Sequence, residues 1–261
     1  MLERSIESLL NFTNFSVMDI SQTDKVRFMK RVDKKYLVPI DILIKLLPEL
    51  SRNYSIVVNK EQKTPEYFSE YFDTPEFNMY FDHHNQRNRR YKVRVRYYRA
   101  SGDVFLEVKL KTPKGETIKR RIPYNENFSV ELSKFISEKT PYKFEELNST
   151  LTTTFNRLTL VANTLSERVT FDFNTKIATP LNKNSYTLNN VCIVEIKRDL
   201  QGPKSILTDE LKDHNIRSTN FSKYSIGCAL LYHNMKSNNF KPILLKLKRL
   251  NDGTFNDNSR N

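Results

Sequence analysis

Residues 91–122 read YKVRVRYYRASGDVFLEVKLKTPKGETIKRRI, and this stretch decides the fold. It divides into three predicted strands separated by two short turns. Successive side chains of a strand point to opposite faces of a sheet, so the alternation of charged and apolar residues predicts one cationic face and one apolar face. The predicted cationic face carries Lys92, Arg94, Arg96, Tyr98, Glu107, Lys109, Lys111, Lys119 and Arg121.

Two glycines indicate how these strands pair. Gly102 and Gly115 lie in the segments ASGD and PKGE, where tight turns favour a residue with positive φ. We therefore expect two antiparallel hairpins. Like charges opposite each other destabilise a sheet, and a bound polyanion would remove that cost. The same alternation also suits the solvated face of a half-buried sheet, so the pattern alone leaves both interpretations open.

The composition is that of a globular protein with anionic partners. The chain has 261 residues, and its 43 Lys and Arg exceed its 30 Asp and Glu to give a formal net charge of +13. This length allows one large domain or two small ones. A strongly basic balance favours nucleic acid, nucleotides, polyphosphate or an anionic membrane surface as partners.

Cysteine usage and hydropathy indicate a cytoplasmic protein without a membrane span. Cys192 and Cys228 are the only cysteines and form no CxxC pair, which indicates neither a disulfide framework nor a zinc site. No apolar run approaches the roughly 18 residues that a spanning helix needs. Any contact with a membrane is therefore expected to pass through a partner.

Upstream of the central strands, the pattern predicts a helical segment and alternating strands and helices. We expect an N-terminal helical segment over residues 1–24. Predicted strands cover residues 27–38, 55–59 and 67–72. A helix is predicted over residues 40–51, and a second begins at Asp73-Thr74-Pro75 and ends near His83-His84.

Downstream, helical and strand patterns alternate again. Predicted strands cover residues 153–162, 167–174 and 191–199. Helices are expected over residues 132–137, 203–213 and 221–234. Residues 181–190 are expected to form a loop or hairpin, and residues 241–261 a basic, flexible tail that could add an edge strand. No composition break divides the chain, so residues 25–240 are predicted to form one α+β domain.

Several short motifs together resemble a known family. They are RVDKKY at 31–36, YFDT at 71–74, KVRVRY at 92–97, FLEVKLK at 105–111, IKRR at 118–121, ERVTFD at 167–172, VEIK at 194–197 and FSKY at 221–224. In this order they resemble the VTC branch of the triphosphate tunnel metalloenzymes, which contains the polyphosphate polymerase domain of the vacuolar transporter chaperone complex. The resemblance covers roughly residues 25–235.

The resemblance implies a fold, a function and a site. The implied fold is a closed antiparallel β-barrel of about eight strands with helices packed outside and a charged interior. The implied catalytic cations are Lys35, Arg94, Arg96, Lys109, Lys119, Arg157, Arg168 and Lys223. Further substrate contacts are expected from Arg31, His83, Lys111, Arg121 and Lys197. Glu195 is the implied ligand of a Mn²⁺ or Mg²⁺ ion.

The first motif departs from the pattern of the wider superfamily. Hydrolases of the superfamily place an ExExK motif where this chain has Arg31, Asp33 and Lys35. The arginine in first position fits the polymerase branch. His83 stands where the fungal catalytic domain has a basic residue, so its role is less well defined by the resemblance.

Three functions follow as alternatives. The first is a polyphosphate polymerase that transfers the γ-phosphate of ATP to a growing polyphosphate chain. The second is a metal-dependent tripolyphosphatase or nucleoside triphosphatase, and the third is a polyphosphate-binding module without catalysis. Nucleic acid is not expected, because the cations follow strand spacing with few interleaved aromatics and no RNP-type motif. The resemblance also suggests a membrane-spanning partner subunit.

Overall fold

A computed structural model describes residues 12–25, 31–127 and 129–252, without the side chains of Asp24, Lys25 and Arg31. Its strands are β1 (Ser16–Asp19), β2 (Arg31–Pro39), β3 (Tyr54–Val58), β4 (Glu66–Asp73), β5 (Arg90–Tyr98), β6 (Val104–Lys111), β7 (Thr117–Pro123), β8 (Asn148–Ala162), β9 (Glu167–Ala178), β10 (Ser185–Leu188) and β11 (Val191–Asp199). Its α-helices are α1 (Ile40–Leu50), α2 (Asn78–His84), α3 (Ser129–Lys139), α4 (Ile206–Asp213), α5 (Lys223–Leu231) and α6 (Lys241–Asn251).

The strands form one sheet, as the sequence predicts for an α+β domain. Its hydrogen-bonded order is β2-β11-β9-β8-β4-β5-β6-β7, and all neighbours along this path are antiparallel. β3 pairs with β8, and β1 adds to β3 in parallel. In the described part of the chain, the end strands β2 and β7 do not pair with each other. The antiparallel sheet is thus confirmed, whereas its closure into a barrel stays a prediction.

The predicted hairpins between β5, β6 and β7 are present. Gly102 and Gly115 have φ values of 79° and 81°, in the region that favours glycine. Lys109 lies directly opposite Lys92 on one side and Lys119 on the other. The expected opposition of like charges therefore occurs within the sheet.

The outer side of the sheet is apolar and covered by helices. Leu43, Leu46 and Leu47 of α1 belong to one buried cluster with Tyr36 and Val194 of the sheet. Beside β5 and β6, α3 contributes Leu132 and Ile136 to a second cluster with Val93, Val95, Leu106 and Val108. Burial of these side chains is the main stabilising contribution of the helices.

Helix α5 covers the other side of the sheet at one end. Ile226 and Cys228 of α5 are fully buried in a cluster with Leu37, Leu151 and Ile177. The approach is close, because a Cβ added at Gly227 would come within 2.7 Å of both Ile177 and Leu151. Glycine is therefore required for α5 to lie this close to the strands.

A bulge in β9 changes which side chains face this apolar end. The pairing of β8 with β9 shifts by one residue after Thr154, and Asn174 has a positive φ of 50°. A one-residue shift exchanges the two faces of a strand. As a result Lys176 is exposed and Ile177 is fully buried, although simple alternation from Asp172 would predict the reverse.

Three parts of the sequence prediction differ from the structure. Most of the predicted N-terminal helical segment lies outside the described residues. Within its described part, Ser16–Asp19 form a strand, because they pair with the edge of β3. Helix α2 begins at Asn78 rather than at Pro75, because the carboxylate of Asp73 accepts hydrogen bonds from the amides of Met79 and Tyr80.

The third difference concerns the C-terminal segment. Residues 241–251 form helix α6 instead of an edge strand or a loose tail, since Leu247 and Leu250 are buried at helical spacing against the α5 side of the sheet. Residues 253–261 lie outside the described part of the chain. None of the helices described has both the length and the apolar character that crossing a membrane requires.

Candidate functional site

The side of the sheet opposite α1 and α3 is lined by charged residues, and we refer to it as the charged face. Its residues share one parity on each of seven strands. Five pairs of these residues lie directly opposite each other on neighbouring strands. They are Lys35 with Glu195, Lys197 with Arg168, Arg157 with Asp172, Arg94 with Glu107, and Lys109 with Lys119. Sequence parity therefore predicted correctly that these side chains share a face.

The sheet curves so that the charged face is concave. Lys109 on β6 interacts electrostatically with Lys35 on β2 and Glu195 on β11, although these strands lie far apart in the sheet order. The segment before α5 spans the gap between the two halves. The ammonium group of Lys35 donates to the carbonyl oxygen of Phe221 at 3.2 Å, and that of Lys92 donates to Oγ of Ser222 at 2.9 Å.

A first group on the charged face is the Glu107 cluster, formed by Arg94, Glu107 and Lys119. The carboxylate of Glu107 is fully buried. Arg94 donates from Nε and Nη2 to its Oε2 at 2.8 and 2.6 Å, and Lys119 pairs with Oε1. Burial alone would raise the pKa of Glu107, but Arg94, Arg96 and Lys119 together hold it well below its usual range.

A second group is the Asp172 cluster, formed by Arg157, Asp172 and Lys223. Arg157 binds both oxygens of Asp172 in a forked arrangement, at 2.6 and 2.8 Å. Lys223, the first residue of α5, also pairs with this carboxylate. Burial raises the pKa of Asp172, yet the two cations outweigh it and lower the pKa to about 2.

Aromatic rings lie beneath the cations of the Asp172 cluster and beneath the nearby Arg96. Tyr67 and Phe155 are stacked at 5.5 Å, and the guanidinium of Arg157 lies 5.1 and 5.2 Å from their centroids. The ammonium of Lys223 is 4.1 Å from the Phe155 centroid. Arg96 lies 5.8 Å from both rings and donates from Nε to Oγ of Ser69 at 3.0 Å. These contacts hold the cations in place by cation–π attraction.

The charged face holds more positive charge than its carboxylates balance. Burial, followed by repulsion from Lys35, Arg90 and Arg94, lowers the pKa of Lys92 to about 7. Burial and Arg94 also bring the pKa of Lys109 well below its usual value. The pKa of Lys119 falls to about 8, mainly because of burial, although Glu107 opposes the fall. Each shift means that the charged lysine is disfavoured until an anion approaches.

Glu195 lies near the surplus lysines, on β11. Its Oε1 accepts a hydrogen bond from Lys197 at 3.0 Å, and Lys197 also pairs with Asp33 at 2.9 Å. Burial raises the pKa of Glu195, but Lys35, Lys197 and Lys109 bring it well below its usual value. The carboxylate is therefore ionised at neutral pH.

The residues around Glu195 fit a divalent metal ion that shares its coordination with phosphate. No group of three or more His, Cys, Asp or Glu side chains with metal-site geometry occurs within residues 12–25, 31–127 and 129–252. Mg²⁺ is commonly held by one or two carboxylates, with phosphate oxygens and water completing the octahedron. Glu195 can supply that carboxylate, while both oxygens of Glu107 and of Asp172 are already engaged by cations.

The remaining predicted site residues are Lys111, Arg121, Arg168, His83 and Arg31. Lys111 and Arg121 are exposed, and Arg121 lies 4.3 Å from the ring centroid of Phe105. Arg168 faces Lys197 across the β9–β11 pair. Burial and the nearby Lys92, Arg90 and Lys35 lower the pKa of His83 to about 2, so its imidazole is neutral. The side chain of Arg31 lies outside the described part, and its strand position is opposite Asp199. The roles of these residues stay predictions.

Sequence reasoning missed several side chains of the charged face. Lys92 was recognised on the right parity but not included among the expected substrate contacts. Asp172 received no role either, because its partner Lys223 belongs to a helix 51 residues further along the chain. Tyr67 and Phe155 were missed as cation partners, because an aromatic residue on a strand more commonly belongs to an apolar core.

Comparison with protein families identifies the family of this chain. Residues 30–232 match the family model described as the VTC domain. The chain belongs to the VTC domain family. The resemblance of its short motifs is thereby confirmed over most of the chain, and the VTC domain contains every strand of the charged face. The chain matches no curated protein sequence.

The VTC domain also resembles solved structures at low identity. The Bacillus halodurans protein bh2851, described as a candidate adenylate cyclase, aligns with a TM-score of 0.48 and 13% identity over 74% of this chain and 94% of its own. The Hippeastrum protein HpAC1, with a dominant triphosphatase activity, gives 0.46 and 13% over 77% and 96%. The S. pombe RNA triphosphatase Pct1 gives 0.31 and 10% over 94% of both chains. These values are too low to transfer an activity.

Proposed function

We propose that this VTC domain is a polyphosphate polymerase that transfers the γ-phosphate of ATP to the end of a growing polyphosphate chain. The observation that carries the proposal is the excess of cations over carboxylates on the charged face. Burial, together with repulsion from Arg94, lowers the pKa values of Lys92, Lys109 and Lys119, so the charged form of each lysine is disfavoured when no anion is bound. Binding of a polyanion reverses that cost.

The phenol of Tyr71 supports the same conclusion. Burial raises the pKa of a tyrosine, but Arg94, Arg96 and Lys223 together lower the pKa of Tyr71. A fully buried phenol with a lowered pKa lies in a strongly positive potential. Phosphate oxygens that approach the charged face would experience that potential as well.

Phosphoryl transfer requires mainly positioning and charge stabilisation from a protein. Arg94 and Arg96 offer planar donors for phosphate oxygens, while Lys35, Lys92 and Lys109 offer point charges that follow successive phosphates. The Glu107 and Asp172 clusters fix the geometry of Arg94 and Arg157. We propose that the face forms the wall of a closed tunnel when the polyanion is bound.

Glu195 would hold a divalent ion, which would supply charge neutralisation for the phosphate groups. Mn²⁺ and Mg²⁺ both suit carboxylate and phosphate oxygen ligands. Lys35 and Lys197, on either side of Glu195, would hold the phosphate against this carboxylate.

The nucleophile in this proposal is the terminal phosphate of the chain, which is ionised at neutral pH. No side-chain nucleophile is needed. Cys192 and Cys228 are fully buried, and burial raises the pKa of both thiols, which makes them poor nucleophiles.

Hydrolysis of triphosphate is the competing activity. It would require a carboxylate to orient water. The carboxylates of Glu107 and Asp172 are fully engaged by arginine and lysine, and Asp33 is paired with Lys197, which supports the proposal of a phosphate acceptor rather than water. A third candidate, binding of polyphosphate without turnover, requires only the cations.

The partners and location follow from this proposal. ATP and inorganic polyphosphate are the substrates, and we place the reaction in the cytoplasm. A membrane-spanning partner at the inner face of the membrane would receive the chain. Co-purification with membrane proteins before and after detergent extraction tests this part of the proposal.

The decisive experiment incubates the purified chain with ATP and Mn²⁺, then with Mg²⁺, and analyses the products by gel electrophoresis. Polyphosphate chains that lengthen with time support the polymerase. Release of orthophosphate without chains would instead establish a hydrolase, and the absence of both products would leave only binding. A chelator should stop either reaction if a metal ion is required.

Glu195→Gln tests the role of the metal ligand. We expect a loss of turnover of about 100-fold or more, because several kcal/mol of charge stabilisation are removed. Binding of tripolyphosphate should persist, since the cations remain. The control is Glu66→Gln, which makes the same change at an exposed residue on the outer side of β4. Full activity of Glu195→Gln would refute its role.

A further inference from the structure

A second cationic site lies outside the charged face, where α4 begins over β2 and β11. The structure has a cavity of about 210 Å³ at this position. Its lining side chains come from both strands, from the loop before α4 and from α4 itself. They are Val32, Lys34, Ile196, Arg198, Lys204, Ser205, Thr208, Asp209 and Lys212.

This cavity is separate from the charged face, because its strand residues have the opposite parity. Lys34 precedes Lys35 on β2, and Arg198 follows Lys197 on β11. Adjacent residues of a strand point to opposite faces. The sheet itself therefore separates the cavity from the site proposed for catalysis.

The lining carries four cations and one carboxylate. That carboxylate, Asp209, already pairs with Lys212 at 2.6 Å. Lys34 and Lys204 make no hydrogen bond or ion pair with any residue that the structure describes. The other nearby acid is the buried Glu167, opposite Arg198 in the sheet, and it accepts a hydrogen bond from the hydroxyl of Tyr54 at 2.5 Å.

The guanidinium of Arg198 is held in place at the edge of the cavity. Its Nη1 donates to the carbonyl oxygens of Gly202 and Pro203, at 3.2 and 3.1 Å. The remaining donors, Nε and Nη2, are not engaged by a described residue. A fixed guanidinium needs little further ordering to bind a phosphate group.

We propose that this cavity is a second binding site for a small phosphate anion, either orthophosphate or pyrophosphate. A cavity of 210 Å³ corresponds to about seven water volumes, which suits a mono- or diphosphate but not a nucleotide. Arg198 binds one phosphate through its fork, and Lys34 and Lys204 neutralise the rest of its charge. The hydroxyl of Thr208 adds a polar group to the lining, whereas the Oγ of Ser205 already accepts a hydrogen bond from the amide of Thr208. The proposal does not depend on the reaction at the charged face.

Nuclear magnetic resonance separates this site from the charged face. We would titrate the ¹⁵N-labelled full chain with pyrophosphate and follow the amides of Thr208 and Asp209 in α4, and those of β5 for the charged face. We expect saturable shifts in α4. The double variant Lys34→Ala/Lys204→Ala should weaken the α4 site about tenfold, since each exposed cation contributes about threefold. The β5 response should be unchanged.

Lys45→Ala, at an exposed lysine of α1, is the matched control and should bind at α4 as the unmodified chain does. Parallel titrations with orthophosphate and with a long polyphosphate show whether the site prefers a small free anion or a phosphate group within a polymer. The proposal fails if α4 gives no saturable shift, if the double variant binds equally well, or if Lys45→Ala weakens binding to the same extent. Stronger binding of orthophosphate or pyrophosphate than of the long polyphosphate supports a site for a reaction product or for free phosphate.

Discussion

The Glu107 cluster and the Asp172 cluster have the same chemistry but different origins. Each places one buried carboxylate between an arginine and a lysine. The Glu107 cluster belongs to three consecutive strands, β5, β6 and β7, whereas the Asp172 cluster combines two strands with the first residue of α5. The first depends on strand register, and the second also depends on how a helix docks.

Their surroundings differ too. The Glu107 cluster lies beside Lys109 and Arg96, whose charges are only partly balanced. The Asp172 cluster lies over the rings of Tyr67 and Phe155, and its arginine binds both carboxylate oxygens in a forked ion pair. We infer that the Glu107 side responds more to a bound polyanion, while the Asp172 side is a fixed support.

The largest expected effect comes from removing the charge of each carboxylate. Glu107→Gln and Asp172→Asn should each reduce the free energy of unfolding by about 3–5 kcal/mol, because buried cations lose their partner. Tripolyphosphate should restore more stability to Glu107→Gln, since it can replace the missing negative charge among the surplus cations. Chemical denaturation with and without tripolyphosphate measures both values. Equal recovery in the two variants would contradict the distinction between the clusters.

The second expected effect concerns the docking of α5. Gly227→Ala should cost about 1–3 kcal/mol, because its Cβ would overlap Ile177 and Leu151. The displaced helix would move Lys223 and lower turnover while leaving the Glu107 cluster intact. Gly202→Ala is the control, since a Cβ there would meet its neighbours at 3.4 Å. If Gly227→Ala is no less stable than Gly202→Ala, the Asp172 cluster does not depend on this close approach.

The third prediction uses pH to detect the surplus charge. The pKa of Lys92 is lowered to about 7 in the folded chain, so between pH 7 and 8.5 the unfolded chain binds more protons than the folded one. Stability must therefore rise with pH in that window, by about 1 kcal/mol from Lys92. Melting temperatures of the ligand-free chain at pH 7, 7.8 and 8.5 test this rise.

Lys92→Met should reduce that rise, and tripolyphosphate should also reduce it because the bound anion raises the pKa of the lysines. The exposed Lys45→Met, on α1 outside the charged face, is the control and should leave the pH dependence unchanged. If the melting temperature of Lys92→Met rises with pH as steeply as that of the unmodified chain, the positive potential near the Glu107 cluster is balanced without a ligand.

The smallest effect is expected at the rim. Arg121→Ala should reduce the free energy of unfolding by less than about 1 kcal/mol, because only its exposed cation–π contact with Phe105 is lost. Denaturation by urea would measure the difference. A loss comparable to that of Glu107→Gln would place the centre of the charged face on β7 rather than on β6.

The sequence was most informative where contacts are local. The glycines at positive φ and the alternation of Lys92, Arg94 and Arg96 were sufficient to predict the hairpins and the shared face. Short-range periodicity carries this information. The Asp172 cluster could not be predicted in the same way, because the position of Lys223 depends on packing between residues distant in sequence.

Two errors of the sequence analysis have a similar cause. In the segment Leu245–Leu250 lysine and leucine alternate, which suggests a strand, but Leu247 and Leu250 are also three residues apart and pack as one helical face. The N-terminal segment that suggested a helix contains Ser16–Asp19, which form a strand because β3 offers an unpaired edge. In both segments tertiary packing decided between two local patterns.

The bulge at Asn174 has a consequence for changes in chain length. One extra residue in β9 lets a single strand present Asp172 to the charged face and Ile177 to the apolar cluster below α5. Deleting that residue would move each later side chain of β9 to the opposite face of the sheet. The ammonium of Lys176 would then lie among leucines, and Ile177 would be exposed to solvent. The spacing between Asp172 and Ile177 is therefore under a stronger structural constraint than the identity of residue 174.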